Sequence, residues 1–145
     1  MVQRLKIGCA GLGRMGKRHA LNFLERTPRA ELVAASSPDP VELEWAKTHL
    51  EPFGVRLYQD YDEMLKQEGL QAVVVASATA VHAEQAIKAI NAEKHVLCEK
   101  PLSTSVETVS TIHNRQHYKH NSLKLTDIFS LNPSSMPPPK NPILK

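Results

Sequence analysis

Cysteine, aromatic side chains and long apolar runs are all scarce in this sequence. Two of its 145 residues are cysteine, and 5% are aromatic. Cys9 and Cys98 each fall inside an apolar strand pattern, where a free buried thiol is more common than a disulfide or a metal ligand. The longest apolar run, Ala72–Ala76, is too short to cross a bilayer, and the start "MVQRLKIG" has no apolar signal-peptide region. These absences predict a cytoplasmic protein with no membrane partner and no disulfide framework.

Glycine and excess positive charge are each confined to one part of the chain. All six glycines precede residue 70, whereas five of the ten prolines follow residue 130. Residues 1–110 carry 13 Lys or Arg against 14 Asp or Glu, and residues 111–145 carry 5 against 1. The net charge of +3 therefore comes from the end of the chain and does not indicate a nucleic-acid partner. We expect a folded domain at 1–112 and a divergent, Pro-rich, largely disordered tail at 113–145, with a candidate strand at 123–129.

Short apolar runs alternate with stretches of helical periodicity, which is the pattern of βαβ units over a parallel sheet. The predicted strands are Leu5–Ala10, Glu31–Ser36, Arg56–Tyr58, Gln71–Ser77 and His95–Cys98. The predicted helices are Arg14–Arg26, Val41–Leu50, Tyr61–Gln67 and Ala80–Asn91. This order predicts an α/β fold, a Rossmann-type doubly wound parallel sheet.

The turn after the first strand, "GLGRMG", has the spacing of a dinucleotide-binding turn. Its glycines are Gly11, Gly13 and Gly16. Between a strand and a helix they permit a tight turn, close approach of the backbone to a pyrophosphate, and close contact of helix and strand. Three cations crowd the first turns of that helix, namely Arg14, Lys17 and Arg18. Because cations oppose the helix dipole unless an anion is bound at the helix N-terminus, both features predict binding of a dinucleotide phosphate.

The end of the second strand, "LVAASSPDP", bears on how the adenosine ribose is held. An acidic residue usually accepts the ribose hydroxyls at this position, which is Ser37 in this chain. Serine lacks the carboxylate that repels a 2′-phosphate, but no Lys or Arg follows in the loop to hold such a phosphate. Asp39, two residues on, is interpreted as a turn residue between two prolines. The expected cofactor is NAD or NADP, with no preference between them.

Four separated motifs occur in an order that is typical of one oxidoreductase family. "IGCAGLGRMGKRHA" covers a first strand, glycine turn and helix, and "LYQDYDEML" covers a third-strand segment. "VVVASATAVHAE" and "HVLCEKPLS" cover the fourth and fifth strands with their following turns. The Glu-Lys-Pro of the last motif is the most specific feature. From Leu5 to about Val109 the chain resembles the glucose–fructose oxidoreductase / inositol 2-dehydrogenase (Gfo/Idh/MocA) family.

The resemblance implies a role for each residue that matches a family motif. The implied cofactor-binding residues are Gly11, Gly13, Arg14, Met15, Gly16, Ser37, Ser77, Thr79, His82, Glu99 and Lys100. The glycine turn is expected to hold the pyrophosphate, Ser37 to lie beside the adenosine ribose, and the residues after the fourth and fifth strands to border the nicotinamide side. Lys100 is expected to be catalytic, orienting the substrate hydroxyl and tuning proton transfer while the cofactor takes the hydride. The family often has proline where this chain has Ala78.

The resemblance also implies a reaction, the oxidation of a CH–OH group of a sugar or cyclic polyol by hydride transfer. The family's enzymes have a second domain with an Asp-x-x-x-His spacing, but here Asp127 is followed four positions later by Leu131. We therefore expect the chain to be inactive unless a substrate domain is supplied, for example by a full-length relative in an oligomer. The alternatives are a non-catalytic dinucleotide-binding or sensor module and a nonfunctional truncated fragment. His113 and His117 are interpreted as incidental, and no metal site is predicted.

Overall fold

Parallel strands alternate with helices through residues 3–111, the part of the chain that the computed structural model describes. The strands are β1 (Leu5–Ala10), β2 (Ala30–Ser36), β3 (Arg56–Tyr58), β4 (Ala72–Val75) and β5 (His95–Cys98). The helices are α1 (Arg14–Glu25), α2 (Pro40–His49), α3 (Tyr61–Leu65) and α4 (Thr79–Asn91), and a short 3-10 helix follows α2 at Glu51–Phe53. Residues 106–111 are helical as well.

The Rossmann-type doubly wound α/β fold predicted from the sequence is confirmed. The predicted helices and strands begin and end within two residues of the observed bounds. The predicted tail at 113–145 and its candidate strand at 123–129 lie outside the described residues, so both stay predictions.

The sheet has the spatial order β3–β2–β1–β4–β5, and all its neighbouring strands are parallel. The chain runs outward from β1 to β3 and then crosses back to place β4 on the other side of β1. The connections therefore leave β1 and β4 in opposite directions, which opens a crevice at the carboxyl edge of the sheet. In open α/β sheets this switch point is where ligands bind.

The two faces of the sheet pack against different helices. On one face, Phe23 of α1 and Ala46 of α2 pack with Ile7 and Leu32 of the sheet. On the other face, Met64 of α3 and Ile90 of α4 belong to a second cluster. Every residue of β4 is buried, because helices cover both faces of this inner strand, and its sequence is accordingly a continuous apolar run. Burial of a side chain as large as Phe23 or Ile90 contributes about 1.5–3 kcal/mol.

Aspartate caps fix where two of the helices begin. The Asp39 carboxylate accepts a hydrogen bond from the Val41 N–H at 2.8 Å, and Pro40 occupies the first turn of α2. The Asp60 carboxylate accepts from the Asp62 N–H at 2.7 Å at the start of α3. Such caps contribute about 0.5–2 kcal/mol each. Helices α1 and α4 begin without a side-chain cap.

Helix α3 ends two residues earlier than its sequence pattern predicts, and Gln67, which that pattern includes in the helix, has a tertiary role. Its side-chain amide donates to the Val33 carbonyl of β2 at 3.1 Å and accepts from the Tyr58 hydroxyl of β3 at 2.8 Å. A glutamine that joins two strands in this way cannot be recognised from helical periodicity.

Residues 3–111 contain no helix with the length and apolar character needed to cross a membrane. The same residues contain no cluster of three or more His, Cys, Asp or Glu side chains able to hold a metal ion.

Candidate functional site

A cleft of about 650 Å³ opens at the carboxyl edge of the sheet, beside the glycine turn. Six of the residues predicted to bind a cofactor line it, namely Gly11, Gly13, Arg14, Met15, Ser37 and Ser77. The N-cap residues of both uncapped helices, Gly13 and Ala78, also lie in its wall. The structure thus brings the ends of β1, β2 and β4 together around one space.

Two glycines of the turn are required by close packing. Gly11 has a φ of +87°, and a Cβ at this residue would lie 2.5 Å from the Cα of Ser77. A Cβ on Gly16 would lie 2.7 Å from the carbonyl carbon of Gly11 and would overlap its oxygen. Gly16 itself does not line the cleft; it lets α1 rest directly on the turn. Both glycines therefore shape the cleft without presenting a side chain to it.

The N-terminus of α1 is open toward the cleft. Its N-cap is Gly13, no side chain caps it, and its first turn contains no acidic residue. The first backbone N–H groups of a helix have no partner within the helix, so they and the helix dipole favour an anion. Of the three cations noted in the sequence, Arg14 lines the cleft, whereas the Lys17 ammonium lies 5.0 Å from the centre of the Trp45 ring.

A carboxylate from α2 lines the cleft beside the end of β2. Ser37 is buried, and its hydroxyl donates to Glu42 Oε2 at 2.5 Å. The Leu12 N–H of the glycine turn donates to the same oxygen at 3.1 Å. Burial raises the pKa of the nearby Cys9 thiol to about 12, and the Glu42 charge adds to this effect. Glu42 was not among the residues predicted from the sequence; the available signal was an acidic residue in the first turn of the helix after β2.

The residues after β4 are held by two side chains of α4. The Ser77 hydroxyl donates to Gln85 Oε1 at 2.5 Å, and Gln85 also lines the cleft. His82 is buried, with Nε2 at 2.8 Å from the Ser77 carbonyl oxygen and Nδ1 at 2.9 Å from that of Pro101. Thr79, the first residue of α4, is exposed. Neither Thr79 nor His82 lines the cleft, so their predicted cofactor contacts stay predictions.

Replacement of His82 by alanine is expected to lower the free energy of unfolding by about 1–3 kcal/mol. The variant removes a buried imidazole whose two ring nitrogens approach carbonyl groups of the turns after β4 and β5, so both packing and hydrogen bonding between the turns are lost. Urea denaturation of the full chain measures the change. His49→Ala is the control, because His49 also approaches a carbonyl, that of Trp45, but is exposed. Equal losses from the two variants would contradict a bridging role for His82.

Glu99 and Lys100 follow β5, outside the lining of the cleft. The Glu99 Oε1 atom lies 2.5 Å from Nε2 of His19, a residue of α1 that the sequence analysis did not single out. The Lys100 N–H donates to Glu99 Oε2 at 3.3 Å, and the Lys100 residue is exposed. The His19 hydrogen bond, with smaller help from Lys100, lowers the pKa of Glu99. The end of β5 is thereby tied to α1.

Replacement of His19 by alanine is expected to raise the pKa of Glu99 toward the usual value for glutamate, about 4.3. Since the folded-state pKa lies below the unfolded one, the pair stabilises the fold above the unfolded pKa. That contribution is lost as the pH falls through the lower folded pKa. It should stay below about 1 kcal/mol, because both side chains are partly exposed. Carboxyl NMR titration of Glu99 in both proteins measures the shift, and an unchanged pKa would contradict the pairing.

Comparison with known proteins identifies the relatives of the chain. Residues 5–126 match the GFO_IDH_MocA family model, described as an oxidoreductase family with an NAD-binding Rossmann fold. Myo-inositol 2-dehydrogenase from Thermotoga maritima is 40% identical over 106 residues, which are 72% of this chain and 30% of that protein.

Solved structures of similar proteins carry nicotinamide cofactors. Scyllo-inositol dehydrogenase from Lactobacillus casei, with bound NAD(H) and scyllo-inositol, has a TM-score of 0.74 and 37% identity, over 81% of this chain and 34% of that one. A 3-ketoreductase from Actinomadura kijaniata, in complex with TDP-benzene and NADP, has a TM-score of 0.71 and 30% identity, over 81% and 36%. The chain thus spans about a third of the length of these relatives.

Proposed function

The chain belongs to the Gfo/Idh/MocA oxidoreductase family, whose NAD-binding Rossmann domain it contains, and from this premise we propose how its residues hold the cofactor and what reaction they serve. The pyrophosphate is held by the backbone N–H groups of Gly13, Arg14 and Met15. The observation that carries this assignment is the uncapped N-terminus of α1, which meets the cleft through a turn that has no room for a Cβ at Gly11 or Gly16. An anion at this place also offsets the unfavourable interaction of Arg14 with the helix dipole.

The other parts of the cofactor follow from the direction of the cleft. The adenosine ribose lies on the side of Ser37, at the carboxyl end of β2. The nicotinamide half extends past Ser77 toward Glu99 and Lys100 at the end of β5. His82 acts on this half as a positioning residue, because it joins the turns after β4 and β5.

The proposed reaction of the whole protein is oxidation of a secondary alcohol on a sugar or cyclic polyol. Loss of a hydride from carbon and of a proton from oxygen converts the CH–OH group to a carbonyl group. The nicotinamide supplies the hydride acceptor when it is bound. Lys100 orients the substrate hydroxyl and aids transfer of its proton. The Glu99 side chain, which is held by His19, accepts from the Lys100 N–H and so fixes the backbone of Lys100. The inositol dehydrogenases among the relatives support this substrate class.

Titration of the full chain with NADH tests the binding proposal. Energy transfer from Trp45, the one tryptophan of the chain, to the reduced nicotinamide reports binding, and calorimetry gives its stoichiometry. We expect saturable binding of one cofactor per chain. A cooperatively folded chain that binds no reduced nicotinamide dinucleotide would rule the proposal out.

Assays with inositols and aldoses test the proposed reaction separately. The full chain is incubated with NAD⁺ or NADP⁺ and each polyol, with and without a longer relative that supplies a substrate domain. Formation of reduced nicotinamide that depends on Lys100, and is lost in Lys100→Met, is the expected result. Activity that is equal in wild type and Lys100→Met would contradict the catalytic assignment.

A further inference from the structure

The carboxylate that the end of β2 lacks is present in the cleft, supplied by another element. Ser37 occupies the position where an acidic side chain usually accepts the ribose hydroxyls. Its own hydroxyl donates to Glu42 Oε2 and accepts from the Asp39 N–H at 3.1 Å, so its one proton is already engaged. Ser37 therefore holds Glu42 in place, and the negative charge on this side comes from Glu42.

Glu42 is oriented so that one carboxylate oxygen remains available. Its Oε2 atom accepts from the Leu12 N–H and the Ser37 hydroxyl. Its Oε1 atom accepts no hydrogen bond within residues 3–111, and it lies 3.5 Å from the point that a Cβ on Gly13 would occupy. A carboxylate has about four acceptor positions, so Oε1 can accept from a ligand hydroxyl without disturbing the turn.

The charges of the cleft oppose an additional phosphate on this side. Among the described residues, the charged groups in its lining are Arg14, Asp39 and Glu42. Arg14 opens α1 on the pyrophosphate side, whereas both carboxylates lie on the side of β2 and α2. The next cation along the chain, Lys47, is exposed and paired with Glu44 at 3.1 Å. A ribose 2′-phosphate, which carries a charge of about −1.5 to −2, would meet two carboxylates in a lining that has one guanidinium, that of Arg14.

We propose that Glu42 is the residue that selects NAD(H) over NADP(H), by accepting a hydrogen bond from the adenosine ribose and repelling a 2′-phosphate. The inference rests on the proposed cofactor site and adds a preference that the sequence left open. It assigns to the first turn of α2 a function that the end of β2 usually performs.

Paired titrations with NADH and NADPH test this assignment in the full chain. The wild type is expected to bind NADH at least about tenfold more tightly, because like charges are juxtaposed in the NADPH complex. In Glu42→Gln the side-chain carbonyl can still accept from Leu12 and Ser37, but the negative charge is gone. We expect the affinity ratio to fall to about threefold or less, mainly through tighter binding of NADPH.

Glu44→Gln is the matched control for this experiment. It makes the same change in charge on the same helix, but Glu44 is exposed and outside the lining of the cleft. Its affinity ratio should equal that of the wild type. A purely structural effect of Glu42→Gln would weaken both cofactors equally and leave the ratio unchanged, which would overturn the assignment.

A measurement on the wild type alone guards against misfolding of the variant. Raising the ionic strength screens charge repulsion, so the preference for NADH should narrow. Equal affinity of the wild type for NADH and NADPH at low ionic strength would overturn the role of Glu42 but not the proposed cofactor site. Loss of the preference for NADH in Asp39→Asn instead of Glu42→Gln would have the same meaning. Binding of neither cofactor by the folded wild type would overturn the proposed function and this inference with it.

Discussion

Replacement of Gly16 by alanine is expected to destabilise the full chain by about 3 kcal/mol or more, a large loss for a single added methyl group. The added Cβ would overlap the carbonyl oxygen of Gly11. That oxygen belongs to the backbone of a tight turn packed close to Ser77, so it cannot yield as the end of a flexible side chain could. Since small domains are stable by only about 5–15 kcal/mol, the loss is a large part of the total.

Gly13→Ala is the matched control for this prediction, because it makes the same chemical change three residues away. Gly13 has a φ of −66°, and a Cβ there meets only the Glu42 carboxylate at ordinary contact distance. We expect a loss within about 1 kcal/mol, which is the cost of a poor N-cap residue. Urea denaturation of both variants measures the difference. A Gly16→Ala protein as stable as Gly13→Ala would mean that α1 does not rest on the glycine turn.

Replacement of Gly13 by aspartate is expected to weaken NADH binding at least about 100-fold while the fold is retained. Asp is among the best N-cap residues, and its carboxylate accepts from the N–H groups two or three positions on, here those of Met15 and Gly16. These groups belong to the helix terminus proposed to hold the pyrophosphate. The variant therefore fills the anion site with a negative charge of its own. The gain from the cap opposes repulsion from the nearby Glu42 carboxylate, so we expect the fold to be retained.

Two further substitutions separate the causes of this loss. Gly13→Asn keeps the capping ability and nearly the size of aspartate but carries no charge, so it should bind NADH more tightly than Gly13→Asp. Gly13→Ala adds only bulk and should retain the most binding of the three variants. Calorimetric titration gives the order, and urea denaturation verifies that each variant is folded. Wild-type affinity in Gly13→Asp would exclude the N-terminus of α1 as the pyrophosphate site.

The alternation of strands and helices was predictable from the sequence, because each element depends on residues that are close together along the chain. An apolar run of four residues such as β4 predicts a buried inner strand, and the spacing of Gly11, Gly13 and Gly16 predicts a turn between a strand and a helix. Deviations arose where a side chain serves a distant element. Gln67 continues a helical pattern in the sequence, but in the structure its amide joins β2 to β3.

The glycine turn of the cleft was predictable from the sequence, but the side chains that complete the cleft were not. Glu42 meets Leu12 across 30 positions of the chain, and His19 meets Glu99 across 80. His82 reads as a helix-start histidine in the sequence, yet in the structure it is buried between two carbonyl groups 24 residues apart along the chain, those of Ser77 and Pro101. None of these pairs has a separation along the chain that helical or strand periodicity could reveal.

The sequence by itself determined the fold class, the family and the position of the dinucleotide turn, because periodicity, glycine spacing and ordered motifs are properties of contiguous residues. Only the tertiary structure decided which charges face that turn. The parallel order β3–β2–β1–β4–β5 brings the carboxyl ends of strands from distant parts of the chain to one edge. There a carboxylate from α2 stands beside the Ser37 hydroxyl at the end of β2, where the sequence contains a serine and no acid.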